Sequence, residues 1–253
     1  MSFDTTNWRI IDEGTYSEPV QQALEEVLTD RLDRGEMDPT LRFWYRDTRG
    51  VPMGRFQAFE DEVAVDYVEE NGIDVVRRIT GGGAMYVEPG NVITYSMYVP
   101  RSAVPDDIEA SYATLDQWVI DALNDIGLDV EHEPLNDISH PDGKIGGAAQ
   151  LRTGDAVLHH TTMSYALDTE EMLRVLRIGE DKISDKAVKS AEKRVAVMRD
   201  HIDESREEVI DALVDSFQDT YGGSMGSLTD EELSAARKLA DEKFATDEWN
   251  RSL

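Results

Sequence analysis

Apolar residues recur at helical spacing in some stretches of this chain and crowd into β-rich runs in others, and the changes between the two mark the elements. Val20, Ala23, Leu24, Val27 and Leu28 fall at i, i+3, i+4, i+7 and i+8, which predicts an amphipathic helix over 17–33, started by Ser17 and Pro19. Leu115, Trp118, Val119, Ala122 and Leu123 mark one side of a second helix, over 111–127. Shorter helices are predicted over 60–72, closed by Asn71–Gly72, and over 169–177. Between them the opening WRIIDEG reads as a short strand, and LRFWYRD (41–47) and VPMGRFQ (51–57) read as two strands joined by a turn at Thr48–Gly50. Residues 73–100 read as strand, glycine triplet, short strand, EPGN turn and long strand, and DAVLHHTTMSYAL (155–167) as a further strand. Past about 179 the texture changes to polar helices, AVKSAEKRVAVMRDH, SREEVIDALVDSFQDTYG and TDEELSAARKLADEKF, interrupted by a loop at GGSMGS.

Strands that follow one another through short turns predict an α/β protein of α+β type, with a mixed, largely antiparallel sheet flanked by helices. At 253 residues the chain suits a single domain, 1–253, with the mixed-sheet core over 1–178 and a helical C-terminal section over 179–253.

Composition narrows the class. A hydrophobic content of 40% with four Trp and nine Tyr predicts a globular protein. No apolar run approaches the roughly 20 residues of a membrane span, and the N-terminus lacks a basic-then-apolar signal pattern, so a cytoplasmic location without a membrane partner is expected. Acidic residues number 53 against 25 basic ones, a net of −28, which argues against nucleic acid as a partner. The acid is spread along the chain and arginine (18) is preferred to lysine (7). Spread acidity suits a whole surface adapted to a high-salt cytoplasm, where the Debye length shrinks to about 3 Å at 1 M; a specific basic partner is the other reading. With no cysteine, disulfides, thiolate metal sites and cysteine nucleophiles are excluded.

Two stretches carry candidate chemistry. In RRITGGGAM, three consecutive glycines let the backbone approach a ligand and turn its amides toward an anion, and Arg77 and Arg78 supply charge for a phosphate or carboxylate. A β-turn with surface arginines is the other reading. In NDISHPDGKIGGAAQ, Lys144 is the first lysine of the chain, and Asp137 is a carboxylate able to hold Mg²⁺ against phosphates. Here the alternative is a hairpin turn at Pro141–Gly143 with an exposed lysine. Neither stretch is a dinucleotide fingerprint or a P-loop, since no GxGxxG opens a helix and Ile145 follows Lys144. His159 and His160 are neighbours on a predicted strand and point to opposite faces, which suits one buried, hydrogen-bonded histidine and one turned toward a site. Asp12, Glu13 and the acidic C-terminal helices read as solvated surface.

In order and spacing these stretches resemble the lipoate–protein ligase A family within the biotin and lipoate ligase superfamily. RRITGGGAMYVEPGN is similar to its arginine–glycine signature, NDISHPDGKIGGAAQ to its lysine segment and VLHHTTM to its histidine strand. MGRFQ (53–57), SDKAVKSAEKRV (184–195) and FATDEWN (244–250) match three further motifs, so the resemblance runs from about 40 to 250. It implies the mixed-sheet fold of that superfamily and an AMP-forming ligase, in which ATP and lipoate give lipoyl-adenylate and a lysine of an acceptor domain displaces AMP. By the same resemblance Lys144 contacts the α-phosphate and the lipoyl carbonyl, and Arg78, with Arg77, holds ATP phosphates. Gly81, Gly82, Gly83, Ala84, Met85 and Tyr86, with Gly147 and Ala149, shape the adenylate and acyl pocket, while Asn136 and Asp137 organise nucleotide and Mg²⁺. The acceptors implied are lipoyl domains such as the glycine cleavage H protein and the 2-oxoacid dehydrogenase E2. Many bacterial members continue past the WN ending into an accessory domain, whereas this sequence ends at Leu253, so a separate accessory subunit is expected, as in some archaeal members.

Three positions depart from the family pattern. Val87–Glu88 stands where a histidine–aspartate pair is usual, Thr161 replaces a glycine, and GKIGG carries one lysine where many members have two. They leave open a non-catalytic acyl-adenylate-binding relative. An octanoyl or lipoyl transferase is a further alternative, although such relatives work through a cysteine thioester; a biotin ligase is another.

Overall fold

An eight-stranded mixed sheet forms the centre of the structure, a computed structural model that describes residues 7–177 and 195–253. In chain order the strands are β1 (Arg9–Ile11), β2 (Thr15–Tyr16), β3 (Thr40–Phe43), β4 (Tyr45–Arg46), β5 (Gly50–Met53), β6 (Asp74–Arg77), β7 (Val92–Pro100), β8 (Glu131–Glu133), β9 (Asp137–His140), β10 (Gly143–Thr153), β11 (Ala156–Ser164) and β12 (Ser224–Met225). The helices are α1 (Glu18–Asp33), α2 (Phe59–Glu62), α3 (Val65–Glu70), α4 (Ile108–Asp125), α5 (Thr169–Val175), α6 (Arg206–Tyr221), α7 (Asp230–Leu239) and α8 (Asp247–Asn250). The main sheet runs β12-β1-β3-β7-β11-β10-β9-β8, parallel at β12-β1-β3 and antiparallel beyond; β2 pairs β4, and β5 pairs β6, in two small parallel ladders. The mixed, largely antiparallel sheet predicted from the sequence is present. No helix among the described residues is long and apolar enough to cross a membrane.

Every residue of β7 but its last is buried, yet its two faces differ. Ile93, Tyr95, Met97 and Val99 point to one side, where Leu41 and Phe43 of β3 and Val157 and Met163 of β11 join them. α4 and α6 cover this face with Leu115, Trp118, Val119 and Leu123 and with Val209, Ile210, Leu213 and Phe217. Each such side chain contributes about 1.5–3 kcal/mol on burial. Asp107 caps α4 by accepting from the Ala110 amide at 2.8 Å, and Ser205 with Glu208 forms a capping box on α6. The opposite face carries Arg42, Thr94, Ser96, Tyr98, His160 and Thr162 and is covered by α1.

Several boundaries differ from the sequence reading. The helix predicted over 60–72 is split into α2 and α3, because Val63 is extended and bridges Leu176. LRFWYRD and VPMGRFQ do not form a hairpin: β4 leaves for β2, and β5 ends at Met53 because Gly54 turns against the glycine triplet. The short strand after the triplet is reduced to one bridge between Gly50 and Val87. Most of SDKAVKSAEKRV, and of the helix predicted there, lies outside the described residues. Its visible end is not helical, since Val195 bridges Lys144 and only a 3₁₀ turn follows at Met198–Asp200.

Candidate active site

At one end of the polar sheet face a cleft opens, lined by both polar and apolar groups. One wall is the loop Gly82–Met85 and the other is β10, with Lys144 and Gly147–Ala149; Asn136 closes the rim. Thr94, His160 and Thr162 of the sheet, Trp44, and Gln22 of α1 form the floor, and Arg46 and Arg78 reach in from the side.

β10 presents Lys144 through a bulge. Lys144 pairs with Ser139 and Gly147 with Asp137, but Ile145 is an extra residue that turns into the core. The bulge returns Lys144 and Gly147 to the same face, and the lysine stem lies directly over the glycine. A Cβ at position 147 would stand 2.7 Å from Lys144 Nζ. Nζ donates to Asp137 Oδ1 at 2.6 Å, the diagonal neighbour on β9. Asn136 is pinned to β10 from both sides, its Nδ2 donating to the Ala148 carbonyl at 2.5 Å and its carbonyl accepting from the Ala148 amide at 2.9 Å.

The glycine loop is held by backbone packing that no side chain permits. Gly82 has φ +98°, a conformation in the left-handed half of the map, and a Cβ on Gly54 would sit 1.9 Å from the Gly82 carbonyl oxygen. Arg78 then ties the loop: its Nε donates to Thr80 Oγ1 at 3.2 Å, and its two terminal nitrogens to the carbonyls of Pro52 (3.0 Å) and Gly81 (2.7 Å). Burial lowers its pKa to about 10, so it stays charged at neutral pH. Among the described residues Arg78 makes no ion pair with a carboxylate, whereas Arg46 is paired with Glu18 at 2.7 Å and Arg42 with Glu25 at 2.9 Å.

Behind the floor a chain of polar groups runs in one direction. Burial pushes the Glu25 carboxyl up, but hydrogen bonding from His160 and the charge of Arg42 outweigh it, so Glu25 is ionised below the usual range and only accepts. His160 Nδ1 therefore donates to Glu25 (3.0 Å), leaving Nε2 to accept from the Thr80 hydroxyl (3.0 Å), whose oxygen accepts from Arg78. Burial also keeps the His160 imidazole below its ordinary pKa, in keeping with a neutral ring. Ser96 and Tyr98 complete the shell around Glu25, and Trp44 donates to Ser96 Oγ at 2.7 Å while the Arg42 and Arg46 guanidinium groups stack on its ring. His159, one residue away, points into the apolar face and meets Asp116 at 2.7 Å. The two histidines thus divide as expected.

Of the predicted site residues, Arg78, Gly82, Gly83, Ala84, Met85, Asn136, Lys144, Gly147 and Ala149 meet at the cleft. Three do not. Arg77 is the neighbour of Arg78 at the end of a strand and so points to the other side. There it donates to the carbonyls of Gly54, Arg55, Gln57, Trp249 and Asn250, clamping the C-terminal WN segment instead of reaching a phosphate. Tyr86 is buried in a satellite core and donates to Glu88 at 2.9 Å, and Gly81 lies behind the wall as an acceptor for Arg78. Asp137 sits just behind the wall with one oxygen on Lys144. The floor residues Gln22, Thr94, Arg46, Trp44 and Thr162, and Glu25 beneath them, were not anticipated. Their signal was the polar alternation Thr94, Ser96, Tyr98 within a buried strand, matched by Glu18, Gln22 and Glu25 along one stripe of α1.

The departures from the family pattern lie off the cleft. Glu88 accepts from Tyr86 and Asn91, Thr161 donates to Asp116 within the apolar face, and the position after Lys144 is the core-facing bulge residue Ile145.

The family described as lipoyl protein ligase A/B catalytic domain matches residues 18–218. Lipoate-protein ligase A subunit 1 of Thermoplasma acidophilum is 38% identical, covering 91% of each chain. Octanoyltransferase LipM of Lysinibacillus sphaericus is 26% identical over 97% of this chain and 99% of its own. Among solved structures, the bi-partite lipoate protein ligase of T. acidophilum, described with its E2 lipoyl domain, superposes with a TM-score of 0.86 at 34% identity, covering 98% of this chain and 97% of that one. Lipoate-protein ligase A bound with ATP superposes at 0.84 with 31% identity, over 98% and 100%.

Proposed function

The chain belongs to the lipoate–protein ligase A family, whose catalytic domain it carries over residues 18–218, and from that premise we propose that it activates lipoate with ATP and transfers the lipoyl group to a lysine of an acceptor lipoyl domain. The observation that carries the proposal is the convergence of two cations, Lys144 and the unpaired Arg78, on a cleft whose wall contains no carboxylate among the described residues.

The chemistry follows from that arrangement. An oxygen of the lipoate carboxylate attacks the α-phosphorus of ATP, the bond to the β-phosphate oxygen breaks, and pyrophosphate leaves. The amine of the acceptor lysine then attacks the acyl carbon and loses a proton as AMP departs with its oxygen. The first step brings two anions together and the second builds negative charge on the acyl oxygen and the departing AMP, so placement and charge stabilisation dominate. Lys144, swinging from Asp137, bridges the α-phosphate and the acyl oxygen, a task that suits a compact ammonium on a flexible stem. Arg78 stays fixed and faces the phosphates, with the Gly82–Gly83 backbone beside it. Asn136 and the floor hydroxyls orient the nucleotide and acyl group. Asp137 has its second oxygen available for Mg²⁺, which fits an ion that takes one or two carboxylates and completes its shell with phosphates and water. When bound, Mg²⁺ would neutralise charge on the departing pyrophosphate.

The Thermoplasma relative is described as subunit 1 of a bi-partite ligase, which supports a separate accessory subunit for this chain and an E2 lipoyl domain as acceptor; a glycine cleavage H protein is proposed as a second acceptor on the family resemblance alone. Transfer through an enzyme thioester is disfavoured because the sequence has no cysteine. A binder without catalysis loses its motive once Glu88 and Thr161 are seen to lie off the cleft. Intact mass of a lipoyl domain after incubation with lipoate, Mg-ATP and this chain, with and without an accessory subunit, tests the proposal. A lipoyl mass increment that requires ATP is expected, and its absence under every condition overturns the reading.

A further inference from the structure

Two of the five histidines meet outside the cleft. His140 ends β9, and His201 follows the 3₁₀ turn Met198–Asp200; their rings lie 4.0 Å apart between centroids. Asp142, in the hairpin turn between β9 and β10, places Oδ2 3.8 Å from Nδ1 of each. One ligand atom from each of the three residues lies within 4.8 Å of the others. The geometry points to a site for a divalent ion of the zinc class, held by two imidazoles and one carboxylate.

Bonds of about 2.0–2.2 Å in tetrahedral coordination put ligand atoms roughly 3.3 Å apart. Rotations of partly exposed side chains supply the contraction, and the Asp142 amide, which now donates to His140 Nδ1 at 3.1 Å on an exposed turn, is free to turn to water. Imidazole selects zinc-class ions over Mg²⁺, which prefers oxygen alone. Three protein ligands leave a fourth position for water or an exogenous group.

The site lies on the reverse of the reactive hairpin. Lys144 and Asp137 share one face of β9–β10, and His140 and Ile138 share the other, against which Ala196, Met198 and Ile202 pack. The Ala196 amide already donates to the Lys144 carbonyl at 2.8 Å. A bound metal would therefore fasten the turn that presents Lys144 to the segment behind it, and raise the stability of the holo form by mass action.

The test uses untagged, chelator-stripped full chain in molar KCl with excess Mg²⁺, so that surface carboxylates are occupied. Titration calorimetry with Zn²⁺ and the visible spectrum of Co²⁺ are the readouts. One equivalent of Zn²⁺ binding with micromolar or tighter Kd, a tetrahedral Co²⁺ spectrum and a rise in Tm are expected. His140→Ala and His201→Ala should each weaken Zn²⁺ binding by at least about tenfold, since each removes one of three ligands, while His132→Ala should not. No saturable binding, or unchanged binding in the double variant His140→Ala/His201→Ala with metal-free Tm preserved, overturns the assignment.

Discussion

On one side of β7 stand Ile93, Tyr95, Met97 and Val99, closed over by α4 and α6; on the other stand Thr94, Ser96 and Tyr98, closed over by α1. The first face is held by non-directional burial, and its rings and aliphatic chains interdigitate. The second is held by directed hydrogen bonds from Arg42, Ser96, Tyr98 and His160 converging on one fully buried carboxylate, Glu25. Buried charge contributes little net stability over apolar packing, so the distinctive effect of this face is what it positions. Here it fixes the His160 tautomer, through it Thr80, and through Thr80 the guanidinium of Arg78. The apolar face has a polar knot of its own, His159, Thr161 and Tyr95 around Asp116, but none of these residues lines the cleft.

Perturbing the two faces should therefore fail in different ways. Phe43→Ala, on the apolar face, should cost about 3–5 kcal/mol of stability, read as a lower denaturant midpoint, while turnover per folded molecule is kept. Arg78→Gln, reached from the polar face, should reverse the pattern. Pyrophosphate release should fall by about 10²–10³-fold, and stability by only about 1–3 kcal/mol as the Pro52 and Gly81 carbonyls lose donors.

Acid should separate the faces in sequence. The imidazole of His160 is held below its ordinary 6.5, so between that value and its lowered folded pKa only the unfolded chain binds the proton. Its contribution is complete above about pH 6.5 and is lost as pH falls through that window. Asp116 is held below its ordinary 3.8, burial being outweighed by His159, Tyr95 and Thr161. Its contribution stays until pH falls below about 4. Denaturant midpoints should thus begin to drop near pH 6.5 in the parent, and His160→Gln should remove that first phase alone. The smallest effect belongs to Glu88→Gln, whose partners Tyr86 and Asn91 lie off the cleft: stability should change by about 0.5 kcal/mol or less and the KM for lipoate should not change.

Much of this was legible in the sequence. α1 and α4 followed from helical spacing, the long β7 and β11 from their β-rich composition, and the pair Arg78 and Lys144 from motifs whose backbone demands glycine. Arg77 misled because two adjacent charges look equivalent in one dimension and opposite in a strand. Glu25 was hidden because a buried acid on α1 carries the same letter as one on a solvated helix face; only its partners on β3, β7 and β11 distinguish it, and those contacts are long-range. The split between α2 and α3 depends on Val63 pairing with Leu176, a residue more than a hundred positions away.

The central claim is that Lys144, laid over Gly147 into the cleft, carries the chemistry. Its most direct test is pyrophosphate release by Lys144→Ala with lipoate and Mg-ATP at molar salt, beside the parent chain and with the accessory subunit present. The account predicts release at background with circular dichroism and Tm unchanged. Turnover equal to that of the parent chain would contradict it.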